Sequence, residues 1–169
     1  MELTWQPGFD IKTKKDVAIK LIHDPTQELR LMGSEAEVSE AVFSGTGMPK
    51  IRWSGYEEEY YVLVYDLLGP SLEDLFEFCG QRFNLKTVLL IAEQALARLR
   101  YMHGKKCLHC DIKPSNLLMG RGRQGSLLYV TDFGSARWVH DTERRSPHKS
   151  FFNGTRDYTS VSHDSGYGT

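Results

Sequence analysis

The chain has 169 residues, a length suited to one domain. Lys and Arg number 21 against 22 for Asp and Glu, giving a net charge of −1, and hydrophobic residues make up 40%. That balance excludes wholesale disorder, and it excludes nucleic-acid or anionic-membrane binding that relies on bulk charge.

Val17-Ala18-Ile19-Lys20-Leu21-Ile22 is short, apolar and partly β-branched, which predicts a strand broken by His23-Asp24-Pro25-Thr26. Residues 28–43 read as a helix with Leu31, Glu35, Val38 and Val42 on one face. Gly45-Thr46-Gly47-Met48-Pro49 is a turn cluster, and residues 50–53 and 60–65 read as strands. Gly69-Pro70-Ser71 then breaks the chain, with Ser71 placed to cap a helix through Phe78. Asn84 can cap a longer helix to His103, with Leu85, Val88, Leu89, Ala92, Leu96 and Leu99 as its apolar stripe and Gly104 as its stop. Residues 116–119 and 127–131 read as short strands, and the chain turns polar from Asp141. The pattern is a β-rich first part and a mainly helical second part, joined through residues 66–70. A cleft between two small lobes suits a ligand.

The N-terminal residues 1–7 lack the basic region and apolar core of a signal peptide, and no apolar run reaches the ~18 residues of a membrane span. Cys79, Cys107 and Cys110 are an odd set, so a disulfide framework is not expected and a cytoplasmic or nuclear location is. Cys107-Leu108-His109-Cys110 has the C-x-x-C spacing, but zinc sites usually need a second such pair or a clean Cys/His set. Trp5, Trp53 and Trp138 read as packing residues, and residues 144–149 as a solvated basic loop.

Several polar groups sit where apolar ones would be ordinary. Lys20 ends an apolar strand and Glu35 lies on the apolar stripe of the next helix; a buried carboxylate needs a cation, and Lys20 is the candidate. Taken alone, Glu35 reads equally well as a helix-edge residue in water. In His109-Cys110-Asp111-Ile112-Lys113-Pro114-Ser115-Asn116 a carboxylate, an ammonium and an amide share one loop, groups that can take a hydroxyl proton, hold a phosphate oxygen and ligate a hard cation. Asp132-Phe133-Gly134 follows an apolar strand.

In this order, Lys20, Glu35, the loop containing Asp111, Lys113 and Asn116, and Asp132-Phe133-Gly134 resemble the protein-kinase signature set. Residues 67–76 (Leu-Leu-Gly-Pro-Ser-Leu-Glu-Asp-Leu-Phe), Ile51-Arg52-Trp53, residues 85–90, residues 116–120 and Gly154-Thr155 with Tyr158 resemble the casein kinase I family in particular. The resemblance implies an α+β, two-lobed protein-kinase-like fold: a small β-rich N-lobe with hinge over residues 1–68, lacking the glycine-rich loop, and an incomplete mainly helical C-lobe over 69–169; the glycines and serines of residues 158–169 read as a disordered tail. It implies transfer of the ATP γ-phosphoryl group to a serine or threonine hydroxyl of a protein substrate. Asp111 would accept the hydroxyl proton and Lys113 would steady the transferring phosphate. Lys20, oriented by Glu35, would hold the α- and β-phosphates. Asp66 to Leu68 would meet adenine, with Tyr65 behind it and Leu118 also at the nucleotide. Asn116 and Asp132 would hold Mg²⁺. The alternative reading is a catalytically impaired kinase or binding fragment whose exposed lower face docks a protein partner; a chain with no stable fold is a third.

The sequence departs from that family at several points. Ahead of Lys20 it carries Gly8 alone, where the family has a glycine-rich loop over the phosphates, so weak nucleotide binding and slow turnover are expected. The chain is expected to be truncated at both ends, leaving the 84–103 helix with an uncovered apolar stripe. Cys110 replaces an arginine that commonly pairs with an activation-segment phosphate, and Arg156-Asp157 alters the segment that reads phosphate on a substrate.

Overall fold

The computed structural model describes residues 3–25, 35–139 and 158–160. Strands β1 (Leu3–Asp10) and β2 (Lys15–His23) form an antiparallel hairpin. Its turn is held by Asp10, whose Oδ1 accepts from the Lys12 and Thr13 amides at 2.9 and 3.1 Å, with Lys14 at φ 55°. Helix α1 (Glu35–Val42) follows, then β3 (Ile51–Glu57) and β4 (Tyr60–Asp66). With β9 (Tyr158–Ser160) they make a five-stranded antiparallel sheet in the order β3-β4-β2-β1-β9.

Strand alternation decides where Lys20 goes. Val17, Ile19 and Leu21 share one face of β2 and pack with Val62, Val64 and Trp53. Lys20 and Ile22 fall on the other face, where Ile22 packs with Leu63, Tyr65 and Ala36 of α1. The same alternation that buries Ile22 therefore buries Lys20 on the α1 side, at 1% exposure.

Beyond the connector, α2 (Leu72–Phe78) starts at a capping box: Ser71 accepts from the Asp74 amide at 3.0 Å while Asp74 accepts from the Ser71 amide at 2.8 Å. Helix α3 (Leu85–Gly104) starts at Asn84, which accepts from the Thr87 amide at 2.8 Å. Two small antiparallel pairs complete the lower part: β5 (Cys107–Leu108) with β8 (Arg137–Trp138), and β6 (Leu117–Met119) with β7 (Leu128–Val130).

The main core joins the two parts. Val38 and Val42 of α1 pack with Met48, Leu72, Met102, Leu117, Leu128, Val130 and Phe133. Full burial of side chains such as Phe133, Leu128 and Met102 contributes about 1.5–3 kcal/mol each. Gly47 closes this joint at φ +74°: its carbonyl accepts from the Val130 amide at 3.0 Å, and the Arg98 Nε reaches the Leu128 carbonyl beside it at 3.2 Å. No helix among the described residues is long and apolar enough to cross a membrane.

The elements differ from expectation in places. Strand β1 is not among the expected elements; it contains Pro7 and Gly8, residues that weaken a strand locally, and pairing with the apolar β2 overrides that preference, Pro7 standing opposite Ala18. Tyr158–Ser160, expected in a disordered tail, pairs with Gly8–Asp10; residues 161–169 lie outside the described residues. Of the helix expected over 28–43, the stretch 28–34 also lies outside them, and α1 ends at Val42. The stripe of α3 is exposed, with Leu85 at 72%, Leu89 at 59% and Leu96 at 66%.

Candidate active site

Lys20 is the hub. Its Nζ lies 2.6 Å from Glu35 Oε2 and 2.6 Å from Asp132 Oδ1, so an ammonium with 1% exposure is held between two carboxylates. Glu35 is itself buried, and its other oxygen, Oε1, accepts from the Tyr65 hydroxyl at 3.1 Å. Burial and then the Glu35 charge push the Tyr65 hydroxyl well above its ordinary range, so it stays a donor at any physiological pH. Ser39 Oγ stands 3.3 Å from the same hydroxyl. The helix-edge reading of Glu35 is thereby replaced: the side chain turns inward because Lys20 and Tyr65 satisfy it there.

Asp132 adopts a left-handed backbone, φ 63° and ψ 76°, which turns its carboxylate toward Lys20 while Phe133 enters the core beneath α1. Gly134 lies against this cluster; a Cβ there would stand 3.4 Å from both Asp132 Oδ1 and Glu35 Oε2.

A second cluster forms on the loop after β5. Lys113 Nζ donates to Asp111 Oδ2 at 2.8 Å, and Asn116 Nδ2 donates to the Asp111 carbonyl at 2.9 Å and to Oδ2 at 3.0 Å. The Lys113 hydrogen bond, followed by its charge and the Asn116 amide, holds the Asp111 carboxyl below the ordinary aspartate range, and the same bond raises Lys113. His109 is buried and ties this loop to the strand before Asp132: one ring nitrogen meets the Thr131 carbonyl at 2.9 Å and the other accepts from the Asp111 amide at 3.3 Å. Those partners assign the neutral tautomer with the proton on Nε2. Thr131 completes the tie by donating from its amide to the Asn116 carbonyl at 2.9 Å.

A cavity of about 410 Å³ lies between the sheet and the lower part. Of the residues singled out in the sequence, it is lined by Tyr65, Asp66, Leu68, Asn116, Leu118 and Asp132. Lys20 and Glu35 stand behind its Asp132 wall, and Asp111 and Lys113 outside it, joined to it through Asn116. On the connecting edge, Asp66 is ion-paired to Arg52. Among the described residues, Leu67 and Leu68 take no part in backbone pairing, which resumes where Gly69 donates to the Met119 carbonyl at 2.8 Å. That leaves a short backbone edge facing an apolar slot.

Trp5, Gln6 and Pro7 also line the cavity, and Trp5 was read in the sequence only as a packing residue. It stands opposite Lys20 in the β1–β2 register, with the Lys20 Nζ 5.5 Å from its ring centroid and Tyr65 5.9 Å away. Reading residues 3–10 as a strand would have exposed this pairing.

Asn116 and Asp132 fit a hard cation. With Asn116 Nδ2 committed to Asp111, the amide oxygen is the acceptor left over, and Asp132 keeps Oδ2 beyond its bond to Lys20. A magnesium ion usually takes one or two protein carboxylates and completes its shell with water and phosphate, so no all-protein cage is required. Among the described residues no group of His, Cys, Asp or Glu side chains could hold a metal by itself. Cys107 is buried and its thiol is raised by burial, while Cys110 is exposed at φ 64°.

A family model described as protein kinase domain matches residues 7–162, which takes in the cavity wall from Pro7, both charged clusters and β9. Kinase domains of this kind are phosphotransferases that use ATP and Mg²⁺ on protein substrates. The chain belongs to the eukaryotic-type protein kinases.

Proposed function

We propose that this protein is a serine/threonine kinase of the casein kinase I type, with the division between its lobes at residues 68 and 69. The observation that carries the reading is the 2.6 Å approach of Lys20 to both Glu35 and Asp132 beside the 410 Å³ cavity. Adenine occupies the slot between Ala18 and Leu118, against the backbone of residues 66–68, with Tyr65 at the rear. Lys20 exchanges its contact with Asp132 for the α- and β-phosphates, and Glu35 and Tyr65 hold it in place. Asn116 and Asp132 would hold Mg²⁺, which would offset the charge of the nucleotide's phosphates.

Asp111 orients the substrate hydroxyl and receives its proton as the oxygen bonds to the γ-phosphorus and the bond to ADP breaks. Its depressed pKa keeps it ionised for that role, and Lys113 lies within reach of the oxygens of the transferring group. Trp5, Gln6 and Pro7 line the roof of the site, where Pro7 has no amide N–H to offer a phosphate.

The test is transfer from γ-labelled ATP with Mg²⁺ to an acidic protein substrate, followed by identification of the labelled residues. Label on serine and threonine that Asp111→Asn abolishes supports the reading. Label on tyrosine alone, or label that survives Asp111→Asn, contradicts it.

A further inference from the structure

The register of β1 against β2 divides the roof of the cavity into two ends. Ala18 and Lys20 share one face of β2, about 6.6 Å apart along the strand, and β1 sets Pro7 opposite Ala18 and Trp5 opposite Lys20. Residues directly opposite in an antiparallel pair share a face, and both Pro7 and Trp5 line the cavity. Pro7 therefore roofs the slot assigned above to adenine, and Trp5 roofs the end at which phosphates would meet the lysine.

That end is closed. Glu35 and Asp132 each stand 2.6 Å from the Lys20 Nζ, and the Trp5 ring centroid lies 5.5 Å from it, within the range of a cation–π contact. The indole also reaches Tyr65, with 5.9 Å between ring centroids, so it bridges the lysine and the rear wall. Lys20 is left 1% exposed. Its neighbours differ in which can leave. Glu35 is buried and held through its other oxygen by Tyr65. Trp5 is 44% exposed, and among the described residues its stretch of β1, residues 3–7, pairs with β2 alone. An aromatic face carries negative quadrupole charge, so it attracts an ammonium and offers nothing to a phosphate.

We propose that Trp5 is an autoinhibitory plug: its indole covers Lys20, and a nucleotide gains the lysine only by displacing it. This rests on the reading of the cavity as a nucleotide site and adds what limits that site. The consequence is selective. Adenosine has the base without the phosphates and enters the Pro7 end with Trp5 in place. Mg²⁺·ATP has to break the contact between the indole and Lys20.

Isothermal titration of adenosine and of Mg²⁺·ATP into the full 169-residue chain tests this, with Trp5→Phe and Trp5→Ala alongside and a cooperative melt required of each. Trp5 is exposed and Lys20 keeps both carboxylates in either variant, so the fold tolerates the changes. The expected result is an Mg²⁺·ATP affinity that rises about tenfold in Trp5→Ala and by less in Trp5→Phe, with the adenosine affinity the same in all three proteins. An Mg²⁺·ATP affinity that is unchanged or falls in Trp5→Ala overturns the proposal, as does a rise shared equally by adenosine. Adenosine bound by every form and Mg²⁺·ATP by none overturns it too, while leaving the base slot intact. Neither ligand bound by any of the three folded proteins overturns the nucleotide reading of the cavity, and the plug with it.

Discussion

Lys20 and Asp132 are 112 residues apart in the chain and 2.6 Å apart in space. One comes from the middle of a strand, the other from a left-handed turn after β7, and the main core brings them together by packing Phe133, the neighbour of Asp132, beneath α1. The charged site and the joint between the two parts of the molecule are therefore one structure.

Replacing Lys20 by methionine keeps the volume and strands the buried Glu35 carboxylate. Leaving such a charge without its partner costs about 3–5 kcal/mol. The melting temperature should fall sharply for Lys20→Met and recover in part for Lys20→Met combined with Glu35→Gln, which removes the orphaned charge and leaves the side-chain oxygen for Tyr65. Thermal melts followed by circular dichroism measure both. A double variant no more stable than the single would mean that the ion pair is not what Glu35 relies on.

The Asp111 carboxyl is depressed chiefly by the hydrogen bond from Lys113. A depressed acid adds stability that is present above its unfolded value, about 3.9, and is lost as the pH falls through the lower folded value. Lys113→Met should move the Asp111 titration upward toward that ordinary value. Carboxyl-carbon NMR across the acid range reads the shift directly; an unmoved titration would assign the depression to other groups.

Gly47 should not accept a side chain. A Cβ would lie 2.2 Å from Arg98 Nε and 2.3 Å from the Leu128 carbonyl, and its φ of +74° disfavours L-residues on its own account. Gly47→Ala should cost about 2–4 kcal/mol, combining backbone strain with overpacking. Denaturant titration gives the value, and a loss under about 1 kcal/mol would show that the turn relaxes without cost.

Much of this arrangement is legible in the sequence where a local rule and the burial agree. The caps at Ser71 and Asn84, the apolar β2 and the start of α3 need only short-range information, and the structure follows them; α3 runs through Gly104, expected as its stop, to a cap at Lys105. The grouping of Lys20 with Glu35 and Asp132 was readable only because their order resembles a known set; spacing alone left Glu35 free to point into water. Strand β1 was hidden because Pro7 and Gly8 speak locally against it, and Trp5 was hidden with it, since its position over Lys20 follows from a cross-strand register. Strand β9 is a three-residue element supported entirely by a distant partner, for which a polar sequence gives no local signal.

The central claim is that Lys20, Glu35, Asn116 and Asp132 surround one nucleotide and one divalent ion. Isothermal titration of Mg²⁺·ATP into protein shown to melt cooperatively tests it most directly. The account predicts saturable binding that requires Mg²⁺ and weakens by about tenfold or more in Asp132→Asn, a loss the size of a charge-assisted hydrogen bond. No heat of binding in the folded protein, or an affinity unchanged by Asp132→Asn, would contradict it.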